Sequence, residues 1–531
     1  MKTIDAKLLK SWIHDEHEIA VLDIREHGQY GENHLFFAVS LPYSVLELRI
    51  RGLVPRKNTR IVVYADHSSE AVVKAAAQAL QRIGYTHVHI LQGGIQAWQA
   101  AGYSTFAGVN LPSKTFGELA EHIYQTPHIS ARQLYEQIQS ARTKLVILDG
   151  RPIQEYQKMN IPGSICCPNG ELALRARQLA PDPSTTIVIN CAGRTRSIIG
   201  AQTLINLGIP NPVYALENGT QGWYLSGYKL EHQSNRFYPE KINPDLLAEA
   251  RQNANHLTKQ LELQTIAFQQ LKIWQQESNR TTYLFDVRTI QEYEESRLSS
   301  AIQHAPGGQL IQATDEYIGV RKARIVLPDF DQVRAPVIAS WLKQLGWDVY
   351  LLADTDKLAT LVIQTDEDLA LVHPHMLSSQ ETINFIKQYP LASILDTRSS
   401  MQFRSVHLKH AQWVIRPTLF KHAPIDKKAP VLLLGTGNDT TALLGTDMVN
   451  AGYQNIQQAI FNPSGFEAAG LSLERQSNVP SDAECIDFLF FVHDRHNGNK
   501  EAARKYLEWE TNLVSQIDEE ERNTFNFNLP A

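Results

Sequence analysis

The chain has 531 residues, 43% hydrophobic and 20% charged, the balance of cored globular protein, and its length predicts several domains. A net charge of −6, with no obviously basic face, argues against nucleic acid as a partner. No run approaches about eighteen apolar residues, the N-terminus lacks an apolar signal region, and four cysteines are too few for a disulfide framework, so the expectation is a cytoplasmic protein with reduced thiols and no membrane contact.

In chain order, one pattern is predicted four times. An apolar strand ends in Asp-x-Arg at Asp23 and Arg25, at Asp149 and Arg151, at Asp286 and Arg288, and at Asp396 and Arg398. An aromatic follows each: Tyr30, Tyr156, Tyr293 and Phe403. A second apolar strand comes at 61–64, 187–189, 325–327 and 431–434, and then a helix closing on Gly84, Gly208, Gly346 or Gly452. A further strand lies at 88–91, 213–216 and 349–352, with a weaker counterpart near Ile456. Strands alternating with helices predict the α/β class: parallel sheets with helices on both faces. The expected units are 1–112, 125–235, 240–360 and 372–475, followed by a helical tail over 476–531.

Between the second and third units, 239–274 reads as a helical connector carrying Leu246, Leu247, Ala250 and Leu257. In the tail, 487–492 is strongly apolar. The stretch 499–517 then reads as an amphipathic helix presenting Ala502, Tyr506, Leu507, Trp509 and Leu513. Such a surface calls for cover, either by the core or by a second copy in a homodimer.

One stretch stands out. The β-branched run 186–190 predicts a buried strand, Cys191 follows at its end, and Ala192-Gly193-Arg194-Thr195-Arg196 forms a polar loop. From Ser197 the apolar spacing turns helical. A thiol between a strand end and a helix N-terminus meets unpaired N–H groups and the positive end of the helix dipole. With Arg194 and Arg196 nearby, the expectation is a lowered thiol pKa and a held anionic sulfur.

The strand, this loop and the helix closing on Gly208 resemble the active-site loop of the rhodanese family of sulfurtransferases. Asp149-x-Arg151 with Glu155-Tyr156, then Asn160-Ile-Pro-Gly-Ser164, and Gly219-Thr-Gln-Gly222-Trp223 are similar to three further segments of that family, in the same order. Asn160 stands where the family more often has His. The resemblance implies four rhodanese-like domains, with Cys191 as the carrier of sulfane sulfur. Ala192, Gly193, Arg194, Thr195, Arg196 and Ser197 would bind a small anionic sulfur donor such as thiosulfate, and a thiol or cyanide would accept the sulfur. The loop amides would stabilise the Cys191 persulfide.

The other three loops lack sulfur: Ala65-Asp66-His67 in the first unit, Asp329-Phe330-Asp331 in the third and Gly435-Thr436-Gly437-Asn438 in the fourth. Those units are therefore read as scaffold, interface or substrate-binding modules. Asp149 and Arg151 are read as structural support, the Arg151 fork pairing with a carboxylate such as Glu155 to tie the strand end to the next helix. Gly307-Gly308 reads as a plain turn, with part of the wall over Cys191, where it would help choose the donor, as the alternative.

Cys166 and Cys167, side by side in a short strand, read as small packed hydrophobes, with a resolving thiol as the alternative. Cys485 reads as inert. No metal and no cofactor are expected: the nearest approach to a metal set is His493, Asp494 and His496, and no nucleotide fingerprint is present. Two rival functions remain. One is a Cys-based phosphatase or arsenate reductase, against which the loop is a residue short; the other is a non-catalytic scaffold.

Overall fold

A computed structural model describes residues 2–140, 144–296, 298–361, 371–437, 439–493 and 499–527. Among them are four five-stranded sheets, each with its strands in the order first, fifth, fourth, second, third, and every pairing within them is parallel. Parallel neighbours need crossovers, and helices on the sheet faces supply them. The central strands are buried accordingly: Ile61, Val62 and Val63, and Ile187, Val188 and Ile189, have no exposed surface.

Register aligns the four loops. Asp149 lies opposite Asn190, Asp23 opposite Tyr64 and Asp396 opposite Leu434. In the third sheet, Leu284 opposite Val326 puts Asp286 level with Pro328. The residues after these strand positions are Cys191, Ala65, Gly435 and Asp329. This fixes the first unit's register on Ala65 rather than Asp66.

The first and third sheets share one core, which a helix of the second unit enters; the second sheet's own strands lie in two further clusters. A single cluster joins Ile50, Leu53 and Ile61 of the first unit, Ile199 of the second, and Tyr283, Phe285 and Trp341 of the third. Phe116, on the helix Leu111–Tyr124 that links the first and second units, lies in the same cluster. The fourth sheet has its own clusters, around Leu433 and Leu432. It is tied to the first unit by buried Arg416, whose Nη1 and Nη2 donate to Glu47 at 2.5 and 2.9 Å.

Beyond the fourth sheet the tail returns to the first and second units. Gly28 N donates to Ile486 O at 2.9 Å, and Leu513 and Ile517 enter the first unit's second cluster. The expected long helix is two pieces, Lys500–Thr511 and Leu513–Gln516. Its buried face also differs from the expectation. Ala503, Tyr506, Leu507 and Glu510 face inward, so a carboxylate sits on the packed side. The connector likewise resolves into the helix Pro244–Gln260, a strand and the helix Phe268–Gln276.

Among the described residues no helix is long and apolar enough to cross a membrane, and no group of three His, Cys, Asp or Glu is arranged to hold a metal. Asp494, His496 and Asn438 lie outside the described residues.

Candidate functional site

The site rests on a strand-end device present in all four sheets. The arginine of each Asp-x-Arg folds back on its own aspartate: Arg151 Nε and Nη2 donate to Asp149 at 2.8 and 2.7 Å. Arg25, Arg288 and Arg398 repeat the fork. Arg151 Nη2 also donates to Met159 O at 2.6 Å, past the following helix, and Asn190 Nδ2 donates to Asp149 at 2.7 Å. Asp149 therefore joins the two strands that carry the loop. The expected Arg151–Glu155 pair is corrected: two residues of separation let the fork close on Asp149, and Glu155 binds elsewhere. Asn160 Nδ2 donates to Tyr156 O at 3.1 Å, the place where His34 and His407 turn Nδ1 to Tyr30 O and Phe403 O at 2.9 and 2.8 Å. The amide replaces the imidazole's bond.

Cys191 ends the strand Thr186–Asn190, and the helix Thr195–Asn206 begins four residues later. Gly219, at φ +52°, brings its backbone against the loop, and Thr220 N donates to Cys191 O at 2.8 Å. The thiol is buried, with Sγ 3.6 Å from Ser197 Oγ. Burial pushes the thiol up, more than Arg196 and the hydrogen bonds of Ser197 pull it down. The expectation of a lowered pKa is thus corrected, because burial withholds the water that a thiolate needs.

The two loop arginines are also differently engaged than expected. Arg194 Nε donates to Glu118 at 2.7 Å and Nη2 to Glu121, both on the helix Leu111–Tyr124. Arg196 makes a two-pronged pair with Glu155, both bonds 2.8 Å. Each cation already has a carboxylate partner, so neither stands free for a donor. Burial pushes Glu118 up to about 7 against the pull of Arg194, with Glu510 and Glu121 adding like charge.

From the tail, Glu510 reaches the same loop. Thr195 Oγ1 donates to Glu510 Oε1 at 3.0 Å, and Oε2 lies against Gly193, where an added Cβ would meet it at 2.7 Å. The third unit arrives through Gly308, where a Cβ would meet Gly170 N at 2.9 Å, and neighbouring Asn169 donates to Arg196 O at 2.8 Å. Gly307 and Gly308 open the helix Gly307–Gln312, a close backbone contact to the segment that braces the loop.

Glu118, Glu121 and Glu510 escape a reading of the sequence because no motif frames them. For Glu510 the available signal was its helical spacing from Tyr506 and Leu507, on the apolar face. Cys166 and Cys167 are fully buried, burial pushes both thiols up, and Cys166 Sγ is 3.5 Å from Arg151 O. Cys485 is buried against Pro480 O at 3.8 Å.

The rhodanese-like domain family matches residues 5–101 and 130–226. The crystal structure of thiosulfate sulfurtransferase from Pseudomonas aeruginosa is similar over 100% of both chains, at 36% identity and a TM-score of 0.89. The thiosulfate sulfurtransferase PspE of Escherichia coli is 33% identical over 67 residues, 13% of this chain and 62% of that protein. The Bacillus subtilis protein YrkF is 32% identical over 104 residues, 20% of this chain and 54% of that protein. The chain thus spans less than two thirds of the length of these two curated relatives.

Proposed function

Since the chain belongs to the rhodanese family of sulfurtransferases, we propose that it moves sulfane sulfur through a persulfide on Cys191. The donor is a sulfane compound such as thiosulfate, and the acceptor a thiol, or cyanide in the assay. The carrying observation is that Cys191 alone, of the four register-equivalent positions, holds a sulfur, and holds it at the head of the helix Thr195–Asn206.

The Cys191 thiolate attacks the outer sulfur of the donor. A sulfur–sulfur bond forms at Cys191, the donor's own bond breaks, and its electron pair leaves with sulfite or with a thiolate. The acceptor then attacks the outer sulfur and returns Cys191. The backbone of Ala192 to Ser197 and the helix terminus favour the anionic sulfur, and Ser197 Oγ lies within reach of Sγ. Arg196 acts through its charge on the thiol from within its pair with Glu155.

Cys191→Ser keeps the volume and cannot carry sulfane sulfur, so transfer from thiosulfate to cyanide should fall to background with the fold unchanged. The wild-type chain loaded with donor should be about 32 Da heavier at Cys191, an increment that cyanide removes. Retained turnover in the serine variant would refute the assignment.

A further inference from the structure

The charges around Cys191 are weighted toward acid. Glu118, Glu121 and Glu155 bond the loop guanidiniums of Arg194 and Arg196, and Glu510 accepts from Thr195 between them. Three of these carboxylates are taken up in pairing those arginines. Glu510 is the remaining one. It is 2% exposed, and its Oε1 is held by Thr195. Its Oε2 has no hydrogen-bond partner among the described residues and lies over Gly193. A buried carboxylate oxygen without a donor is costly, and at a reactive loop it complements a ligand that brings a hydrogen. Its charge also acts on the Cys191 thiol itself, raising its pKa.

Thiosulfate brings two negative charges and only acceptor atoms. An alkyl persulfide brings one charge at most and, when protonated, an S–H. Coulomb repulsion from a carboxylate scales with ligand charge, and like-charge juxtaposition is a means of rejecting partners.

We propose that Glu510, supplied by the tail helix Lys500–Thr511, biases the choice of sulfur donor at Cys191, so that an alkyl persulfide loads it faster than dianionic thiosulfate does. The proposal rests on the persulfide reading of Cys191. With the persulfide as donor the step balances without an oxidant. The thiolate of Cys191 attacks the terminal sulfur, the persulfide bond breaks, the alkyl thiolate leaves with the electron pair, and Cys191 keeps the terminal sulfur with any proton it carried. Glu510 is a specificity residue: it sets which donor arrives and takes no part in bond making.

The test measures second-order loading of Cys191, by intact mass, with thiosulfate and with a low-molecular-weight alkyl persulfide. Glu510→Gln keeps the oxygen that Thr195 bonds and removes the charge. It should shift the ratio of the two rates toward thiosulfate by about tenfold or more. Glu510→Asp keeps the charge and should keep the wild-type preference. If Glu510→Gln does not fold, Glu510→Met reads the same ratio. A ratio unchanged in the uncharged variant, or changed equally in the aspartate variant, overturns the proposal while leaving the persulfide chemistry standing. Failure of both donors to load the wild-type chain overturns the persulfide reading and this inference with it.

Discussion

Opposed pulls meet at the sulfur of Cys191. Burial and the Glu510 charge raise its pKa, while Arg196 and Ser197 lower it, and burial is the largest. A raised pKa means less thiolate at any given pH, so alkylation by iodoacetamide should be slow at neutral pH. Its rate should climb with a midpoint above the ~8.5 of a free cysteine. A midpoint below that value would restore the activated thiolate that the bare loop suggests. What the sequence conveyed at this scale follows sequence distance. Asp149 and Arg151 close on each other across two residues, and the pattern recurs four times, so the device is visible in the letters. Glu155 was visible as a carboxylate but assigned to the wrong arginine, since Arg151 and Arg196 become neighbours only after the strands pair. Glu510, 315 residues from Thr195, has no local signature, and only the packing of the tail puts it there.

The loop owes its shape to a turn on the next strand as much as to its own residues. Gly219 follows the strand Val213–Leu216 at φ +52°, and a Cβ there would meet Cys191 O at 2.3 Å and Gly193 O at 2.8 Å. Both are backbone atoms of the loop and cannot yield without moving it. The first unit repeats the arrangement at Gly94, where a Cβ would meet Ala65 O at 2.0 Å. The close approach is therefore a property of the element pair and not of the sulfur. Gly219→Ala should cost about 2–4 kcal/mol from left-handed strain and overpacking. Because the displaced atoms carry Cys191, it should lower sulfur transfer more than a stability loss of that size alone would. Denaturant titration beside a loading assay separates the two, and an alanine variant with native midpoint and native loading would show that the contact yields freely. Strand and helix periods made these elements readable from sequence. The break between Lys500–Thr511 and Leu513–Gln516, and the inward face bearing Glu510, were not, because amphipathic spacing there fits more than one register.

At the scale of the molecule, the repeats are not beads on a string. Sequence shows four similar units of ordinary domain size, which suggests that the first two, ending near Pro239, could stand alone. The packing argues otherwise. Leu53 O accepts from Tyr283 Oη and from Gly319 N, Trp341 Nε1 donates to Thr203 Oγ1 at 2.8 Å, and Arg334 makes a buried two-pronged bond to Glu171 at 2.8 Å. Each contact joins the third unit to the first or second. Removing the third unit would strip the shared cluster of Tyr283, Phe285, Ile325 and Trp341 and leave Ile50, Leu53 and Ile199 facing water. Glu171 would lose Arg334, and the helix bearing Glu510 would be gone. Exposed apolar surface of this kind drives association, at roughly 25 cal/mol lost per Å² uncovered. A chain ending at Pro239 should therefore bind a hydrophobic dye, self-associate and lack a cooperative thermal transition, although it contains every residue from Asp149 to Ser197. A soluble monomer of that length with a sharp transition and persulfide loading at Cys191 would show that the shared core is dispensable. The expected failure would mean that the thiol-less units are needed for the fold that holds Cys191, before any part they have in choosing what reaches it.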